Sequence, residues 1–564
     1  MPQSRILLLI LLSMHPVTGH AQQYAPDPRV DSVFAAYDRS DAPGCAVGVF
    51  RDGRIQYARG YGLADLEHRV PISPATVFDI GSTSKQFTAA TIVLLEQEGK
   101  LSLDDDVRRF LPELPVYERP ITIRHLLHHT SGLRDYIGLL RLTGVRYDDV
   151  TTADDALRML VRQRALNFAP GDEHRYSNSG YFLLSLVVER ASGRSLRDVA
   201  HDRIFAPLDM THTAYLGSYN DIVPNRAIGY QPAGSGYQAD MPRWLQLGDG
   251  AVFTTVEDLV RWGENFRTTK VGGAAMRDAL LTRGRLANGE VLNYALGLMH
   301  GEHRGLATVF HGGSWGGYVA EFLRFPDQQY GVAVLCNRAD ADPPALALKV
   351  AEIHLAGEMD AVPAPALTTA SVPAPPSPSA PKLRALEYYS GTYRIPHSGS
   401  LITVDARDGA LRLLEPGRFD LVARSPDQFE VVGTPGSVRL IFEAGDANDA
   451  RARRVRALVA GDPPRTYERL DLTPLATGGL AAFAGTYHSP ELVANLVVSR
   501  MDTALFLVLP NSRPDRLRAV GENEFLGAGV NLEFRRDATG RVTGVLLNQE
   551  RASGLWFDRV EAGS

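Results

Sequence analysis

Lysine is almost missing from this chain: of 59 Lys and Arg residues in 564, only five are lysine. Arginine stays protonated at any working pH, whereas a lysine in a desolvated or electropositive pocket can give up its proton and act as a base. Positive charge is not in excess either, and a formal net charge of −6 gives no reason to expect a nucleic-acid partner. Long apolar runs are lacking. Residues 6–14 form one too short to span a bilayer, and no later segment is long and apolar enough, so no transmembrane segment is expected. Complete metal-binding motifs are missing as well. His125 and His129 stand four apart, a spacing that could hold a metal, but no carboxylate sits in H-E-x-x-H position, and Asp104, Asp105 and Asp106 lack EF-hand spacing. The histidines are expected to pack or cap a helix and the aspartates to form a solvated turn; no metal and no cofactor is implied.

What is present has the composition of ordinary soluble protein, 44% hydrophobic and 22% charged, in a length that suggests three or four domains. Residues 1–21 read as a secretory signal peptide: Arg5, then the apolar run, then small residues at the cleavage positions before Gln22. With no cysteine there to carry lipid, the product is expected to be periplasmic or secreted. Residues 22–358 form the expected main domain. Residues 359–382, rich in Pro, Ala, Ser and Thr, read as an extended linker. Beyond it the chain repeats itself at about 90 residues: Tyr389-Ser390-Gly391-Thr392-Tyr393 is echoed by Phe483-Ala484-Gly485-Thr486-Tyr487, and Leu440-Ile441-Phe442 by Leu532-Glu533-Phe534. Tyr467-Glu468-Arg469 and Phe557-Asp558-Arg559 close the two units. Short alternating strands with turn signals such as Asp408-Gly409 and Thr539-Gly540 make residues 383–472 and 478–564 two small antiparallel β-barrels.

One of the few lysines, Lys85, follows Ser82 by three positions in Gly81-Ser82-Thr83-Ser84-Lys85. Phe87, Ala90, Val93 and Leu94 recur at helical spacing until Gly99, which puts Ser82 on the first turn of a mostly buried helix with the amine on the same face. Spacing alone carries little, since Ser379-Ala380-Pro381-Lys382 matches it within a Pro-rich tract that cannot be helical. Two further segments add context. Tyr176-Ser177-Asn178 lies on a polar loop that feeds an apolar helix ending near Ser192-Gly193, and Thr308 to Ser314 reads as a strand carrying His311 ahead of Gly312 and Gly313. Gly312-Gly313-Ser314-Trp315-Gly316 also fits the G-x-S-x-G nucleophile elbow. That motif needs a helix next, and Tyr318 to Leu323 reads as a strand.

In the order S-x-x-K, Y-x-N, H-x-G these segments resemble the serine β-lactamase and penicillin-binding-protein family, in its class C β-lactamase, DD-peptidase and D-aminopeptidase branch. The flanking Val77-Phe78-Asp79-Ile80, Leu101-Ser102-Leu103-Asp104 and Leu126 to Leu133 look similar to that branch, over roughly residues 28 to 355. The resemblance implies an α+β hydrolase domain: a five-stranded antiparallel sheet flanked by helices, with a helical subdomain across a cleft. Residues 46–50 and 55–57 would form the first hairpin, turned at Asp52-Gly53, and residues 316–325 and 330–335 the last strands.

It also implies roles. Ser82 would be the nucleophile and Lys85 its base, directly or through Tyr176. Asn178 would hold the substrate amide oxygen and orient Lys85, and the N–H groups of Ser82 and Ser314, beside Gly313, would form the oxyanion hole. His311 stands where β-lactamases proper carry lysine. A mostly neutral imidazole lowers the Tyr176 pKa less than a second lysine would, which makes Tyr176 a neutral relay. Residues 337–344 are acidic and the next basic residue is Lys349, so carboxylate recognition is weakened. Cys45 and Cys336 open and close strands that are neighbours in this family's sheet. A disulfide and two buried thiols are both open to them.

The barrels resemble those that follow the hydrolase domain in D-aminopeptidases, or the lipocalin-like domain of related peptidases. They could bind ligands, pack inertly, or narrow the cleft with a loop such as Pro510-Asn511-Ser512-Arg513-Pro514; the last is preferred. The implied activity is an acyl-enzyme serine hydrolase acting on small amides or esters, first on peptides containing D-residues. β-Lactamase or esterase activity, a penicillin-binding protein that acylates without turnover, and an inactive scaffold are the rivals. Partner proteins are not indicated.

Overall fold

The apolar run from Cys45 to Phe50 forms β1 (Cys45–Arg51), buried on both faces as a strand inside a covered sheet must be. Asp52 (φ 50°) and Gly53 (φ 75°) then take two successive left-handed conformations. That is the two-residue turn whose twist suits a hairpin, and it delivers β2 (Arg54–Tyr61) as expected. The remaining strands are β3 (Met299–His303), β4 (Leu306–Trp315), β5 (Tyr318–Phe325) and β6 (Tyr330–Cys336), in the antiparallel order β3-β4-β5-β6-β1-β2. The sheet therefore has six strands. The extra one, β3, is joined to β4 through Arg304 (φ 49°) and Gly305 (φ 81°), a second hairpin turn of the same kind. This computed structural model describes residues 24–360 and 383–561, apart from 397–399, 408, 416–418, 433–437, 445–449, 460–464 and 471–476. The expected signal peptide, all but residues 359 and 360 of the expected linker, and Asp408 of one expected turn lie outside the described residues.

Among the helices that flank the sheet or build the subdomain are α1 (Lys85–Gln97), α2 (Tyr136–Leu142), α3 (Asn178–Ser192), α4 (Val256–Thr268) and α5 (Pro343–His354). On one face Leu346, Ala347, Val350 and Ala351 of α5 pack on Val47, Val49, Val332 and Val334. On the other, Val256, Leu259 and Val260 of α4 meet Ala46, Phe50, Phe322 and Ala333, and this core continues into α1 and α3. α3 stops at Gly193, whose φ of 72° is the left-handed cap a glycine supplies cheaply. β1 and β6 pair with Cys45 opposite Cys336, and the two are joined as a disulfide across 291 residues. Of the two states left open by the sequence, the structure has the bond.

The smaller expectations resolve as follows. His125 closes a capping box with Thr122 on the helix Ile123–Leu127, whereas His129 lies beyond that helix with φ 56°. Asp104 pairs with Arg124, and Asp105 and Asp106 cap turns through backbone N–H groups. No helix follows Ser314. Gly316 and Gly317 turn β4 straight back into β5, so no nucleophile elbow exists there.

The repeat folds into two closed eight-stranded barrels, Gly391–Arg394 through Arg465–Arg469 and Gly485–Ser489 through Leu555–Arg559. The echoed residues do equivalent work in each. The Tyr393 hydroxyl donates to the Tyr389 carbonyl and that of Tyr487 to the Phe483 carbonyl, each four residues back. Arg469 and Arg559, on the last strands, donate to the Ser390 and Ala484 carbonyls and so help to close each barrel onto its first strand. The second barrel shares an apolar core with the hydrolase domain. Its loop 549–554, not 510–514, reaches the cleft. Pro510 packs on Gly144, and Asn511 donates to the Gly144 carbonyl at 3.0 Å.

Candidate active site

Ser82 stands in a 3₁₀ turn, Gly81–Ser84, that runs into α1, and its approach to β4 is set by missing side chains. A Cβ on Gly313 would lie 1.9 Å from the Ile80 carbonyl oxygen, and one on Gly81 2.7 Å from the Ser314 nitrogen. Gly81 also has φ 48°, which disfavours any L side chain. The Thr83 hydroxyl donates to the His311 carbonyl at 3.0 Å and ties the turn to the strand. The turn and Ser314 thus line one cleft together. Gly313→Ala must push β4 away from Ile80. We expect acylation to fall by roughly 10²–10³-fold, the scale of losing one oxyanion donor, with thermal stability reduced far less; stopped-flow acylation beside calorimetry measures this.

Lys85 is fully buried at the first position of α1. Its Nζ lies 3.0 Å from Ser82 Oγ, 3.0 Å from Asn178 Oδ1 and 2.6 Å from the Asp249 carbonyl oxygen. The last two partners can only accept. A neutral amine has two N–H bonds and one lone pair, so those acceptors take both hydrogens and leave the lone pair for the Ser82 hydroxyl. Burial favours that neutral form and pushes the Lys85 pKa down, against the pull of Asp249 and Asp135 and with help from Arg551.

Tyr176 sits on the loop before α3 with its hydroxyl buried and without a well-formed hydrogen bond. Burial raises its pKa, opposed by the neighbouring Ser82 hydroxyl and by Arg551, so it is a phenol and not a phenolate. Lys85 Nζ is 4.9 Å from the ring centroid. His311 Nδ1 lies 2.6 Å from the Gly312 carbonyl oxygen, to which it must donate, leaving Nε2 to accept from the Tyr294 hydroxyl at 3.2 Å. Burial first and the Lys85 charge second push its pKa down to about 3. The imidazole is therefore neutral, as expected, but it is turned to Tyr294 and not to Tyr176. Asn178 opens α3 and donates its backbone N–H to Asp135 Oδ2 at 2.7 Å, while its side chain holds Lys85.

All seven sequence-predicted residues, Ser82, Lys85, Tyr176, Asn178, His311, Gly313 and Ser314, meet at a cleft of about 1480 Å³ between sheet and subdomain or, for Lys85, directly behind its wall. Sequence reasoning missed four others. Asp249 gives Lys85 a carbonyl and takes the Tyr136 hydroxyl at 2.9 Å; its flanking Gly248 and Gly250 were the available signal. Tyr294 orients His311, and Asp135 caps α2 while holding Asn178. Arg551, from the second barrel, stands with its guanidinium carbon 5.1 Å from the Tyr176 ring centroid. Nothing local marks those three. Among the described residues no group of three or more His, Cys, Asp or Glu could hold a metal.

Residues 30–355 match the Beta-lactamase family. The chain is 29% identical over 540 residues to a D-aminopeptidase of Cereibacter sphaeroides (strain ATCC 17029 / ATH 2.4.9), covering 92% of this chain and 95% of that protein. It is 32% identical over 331 residues to penicillin-binding protein 4* of Bacillus subtilis (strain 168), covering 55% and 72%. The octameric penicillin-binding protein homologue from Pyrococcus abyssi superimposes with a TM-score of 0.54 at 23% identity, over 78% of this chain and 99% of that one, and so shares the fold. With more than half its length in the matched domain, this chain belongs to the beta-lactamase family of serine hydrolases.

Proposed function

We propose that this protein is an exported amidohydrolase that cleaves small amides of D-amino acids through an acyl-enzyme on Ser82. The chemistry rests on the Lys85 amine, whose two hydrogens are claimed by Asn178 Oδ1 and the Asp249 carbonyl. The Ser82 proton passes to Lys85 as Oγ bonds to the substrate carbonyl carbon, and the oxyanion is held by the N–H groups of Ser82 and Ser314. As the C–N bond breaks, the Lys85 ammonium returns that proton to the leaving nitrogen, directly or through the Tyr176 hydroxyl. A water then attacks the ester carbonyl as its proton passes to Lys85, and that proton goes to Ser82 Oγ as the C–Oγ bond breaks and the acid is released. The D-residue reading draws on the match to a D-aminopeptidase over both barrels as well as the hydrolase domain. The disulfide suits an oxidising compartment and supports export.

Four compounds test the reading: D-alanine and L-alanine p-nitroanilides, a p-nitrophenyl ester and a chromogenic cephalosporin, with acyl-enzyme followed by intact mass. Anilide release from the D-isomer is expected to exceed that from the L-isomer at least tenfold. Equal rates would remove the D-residue reading, and a stable cephalosporin adduct without anilide release would mark a binding protein instead. For the preferred substrate, kcat/KM should rise with pH as Lys85 loses its proton. Burial disfavours the cation, so the midpoint must fall below the 10.5 of an unperturbed lysine. With its pKa pushed down to about 3, His311 is neutral at every working pH and adds no limb.

A further inference from the structure

We propose that the second barrel completes the cleft with Arg551, an anion-reading residue that selects substrates carrying a carboxylate on the leaving group. This rests on the amide-hydrolase reading above and narrows it to D-aminoacyl dipeptides, or similar short peptides, with a free C-terminus.

The loop carrying Arg551 is fixed from both sides. The Arg551 carbonyl accepts from the Asp135 backbone N–H at 2.9 Å and from Asn167 Nδ2 at 3.0 Å. Ser553 donates its N–H to Asn167 Oδ1 at 2.8 Å, and Arg134 donates to the Ser553 and Gly554 carbonyls. Behind it, Glu550 is ion-paired with Arg465 of the first barrel. The Arg551 side chain is half-buried, lines the cleft with its guanidinium over the Tyr176 ring, and makes no ion pair or hydrogen bond among the described residues. A half-buried guanidinium held in place without an anion is a preorganised site for one, and its planar fork matches a carboxylate.

Its position assigns the end of the substrate it reads. Tyr176 and Lys85 lie where the leaving nitrogen must collect its proton, and Arg551 stands over that same Tyr176 ring. A carboxylate on the leaving residue therefore falls on the Arg551 side. Arg141, Arg226, Arg243 and Arg465 also line the cleft, but none of them stacks on Tyr176, and Arg465 is held by Glu550. The third motif supplies no competing cation, because His311 is neutral and turned to Tyr294. Asp340 and Asp342, in the acidic segment beyond the last strand, are engaged by Arg338 and the Ala345 N–H. A cation from a distant domain stands in for the one absent from the sheet.

The test uses the full-length protein and its Arg551→Gln and Arg551→Lys variants. The ratio of kcat/KM for D-alanyl-glycine over D-alanyl-glycinamide is measured. The native protein should favour the acid at least tenfold. Arg551→Gln should lower that ratio by roughly 10- to 100-fold, as loss of a charge-assisted pair does, and Arg551→Lys should keep an intermediate share. A ratio that does not move, or a native ratio near one, overturns the proposal. A second readout needs no turnover: N-acetyl-D-alanine and its amide compete with a fluorophosphonate for Ser82. The acid should protect at lower concentration in the native protein and lose that advantage in Arg551→Gln. If neither dipeptide is cleaved but this difference persists, the amide-hydrolase reading fails and the anion site stands; equal protection by acid and amide in the native protein sinks the anion site.

Discussion

Ser82→Ala is expected to abolish acyl-enzyme formation and to lower kcat/KM on the preferred substrate by on the order of 10⁴-fold or more. The same loss should follow Lys85→Met. The double variant should be no worse than either alone, since a nucleophile and its base act as one unit and their effects do not add. Removing Ser82 Oγ leaves Lys85 two of its three partners, Asn178 and Asp249, so the amine stays anchored and the fold of the turn is not at stake. Lys85→Met differs: it leaves Asn178 Oδ1 without its partner and removes a buried amine, so part of its effect will appear as lost stability. Intact-mass analysis after a fluorophosphonate gives the readout. Full labelling of Ser82→Ala would place the nucleophile elsewhere.

Legibility followed sequence distance. Ser82 and Lys85 are three apart on one continuous turn, and Asp52-Gly53 is a two-residue hairpin signal, so both could be placed from local rules. The barrel repeat was visible because the same closing contacts recur: Tyr393 with Arg469 in one unit, Tyr487 with Arg559 in the other. β3 was missed because Met299–His303 is mostly polar and lies at the sheet edge, where one side needs no strand partner and alternation is weak. Asp249, Asp135 and Tyr294 act through one carbonyl, one helix cap and one hydroxyl, and no periodicity encodes such contacts. Both 510–514 and 549–554 are turn-rich loops of one barrel. Which of them enters the cleft depends on how the barrel docks, and the docking contacts, Arg134 with Glu491 and Asn511 with Gly144 among them, join residues far apart in sequence.

The chemistry at this site depends on burial more than on charge pairing. Lys85 is pushed toward its neutral form and His311 is held neutral by the same loss of water, while Tyr176 is held as a phenol. A neutral base, a neutral relay and a neutral imidazole leave Arg551 as the strong fixed cation over the reacting groups. Its charge also disfavours the Lys85 ammonium, so the residue proposed to read the substrate contributes to keeping the base ready. Arg551→Gln should accordingly shift the acid limb of kcat/KM to higher pH, a displacement that a merely structural loop would not produce.

Arg134→Met should cost about 3–5 kcal/mol of stability, the penalty for removing one partner of a buried ion pair, and should loosen the second barrel from the cleft. Arg134 is 1% exposed and Glu491 11%, and they meet at 2.6 Å. The same guanidinium donates to Gln163 Oε1 at 2.8 Å and to the Ser553 and Gly554 carbonyls at 2.8 and 2.9 Å. Removing it leaves the half-buried Glu491 carboxylate with only the Arg164 N–H at 3.2 Å, and frees two carbonyls at the base of the Arg551 loop. Arg134→Met with Glu491→Leu should be less destabilising than the single change, because no charge is then left unpaired, yet it cannot restore the two carbonyl contacts. Stability and selectivity should therefore separate. The urea midpoint recovers in the double variant, while its preference for a free carboxylate stays as weak as in Arg134→Met. Should the single variant lose under about 1 kcal/mol and keep native selectivity, apolar contact alone docks the barrel, and the Asp135 and Asn167 contacts suffice to place Arg551.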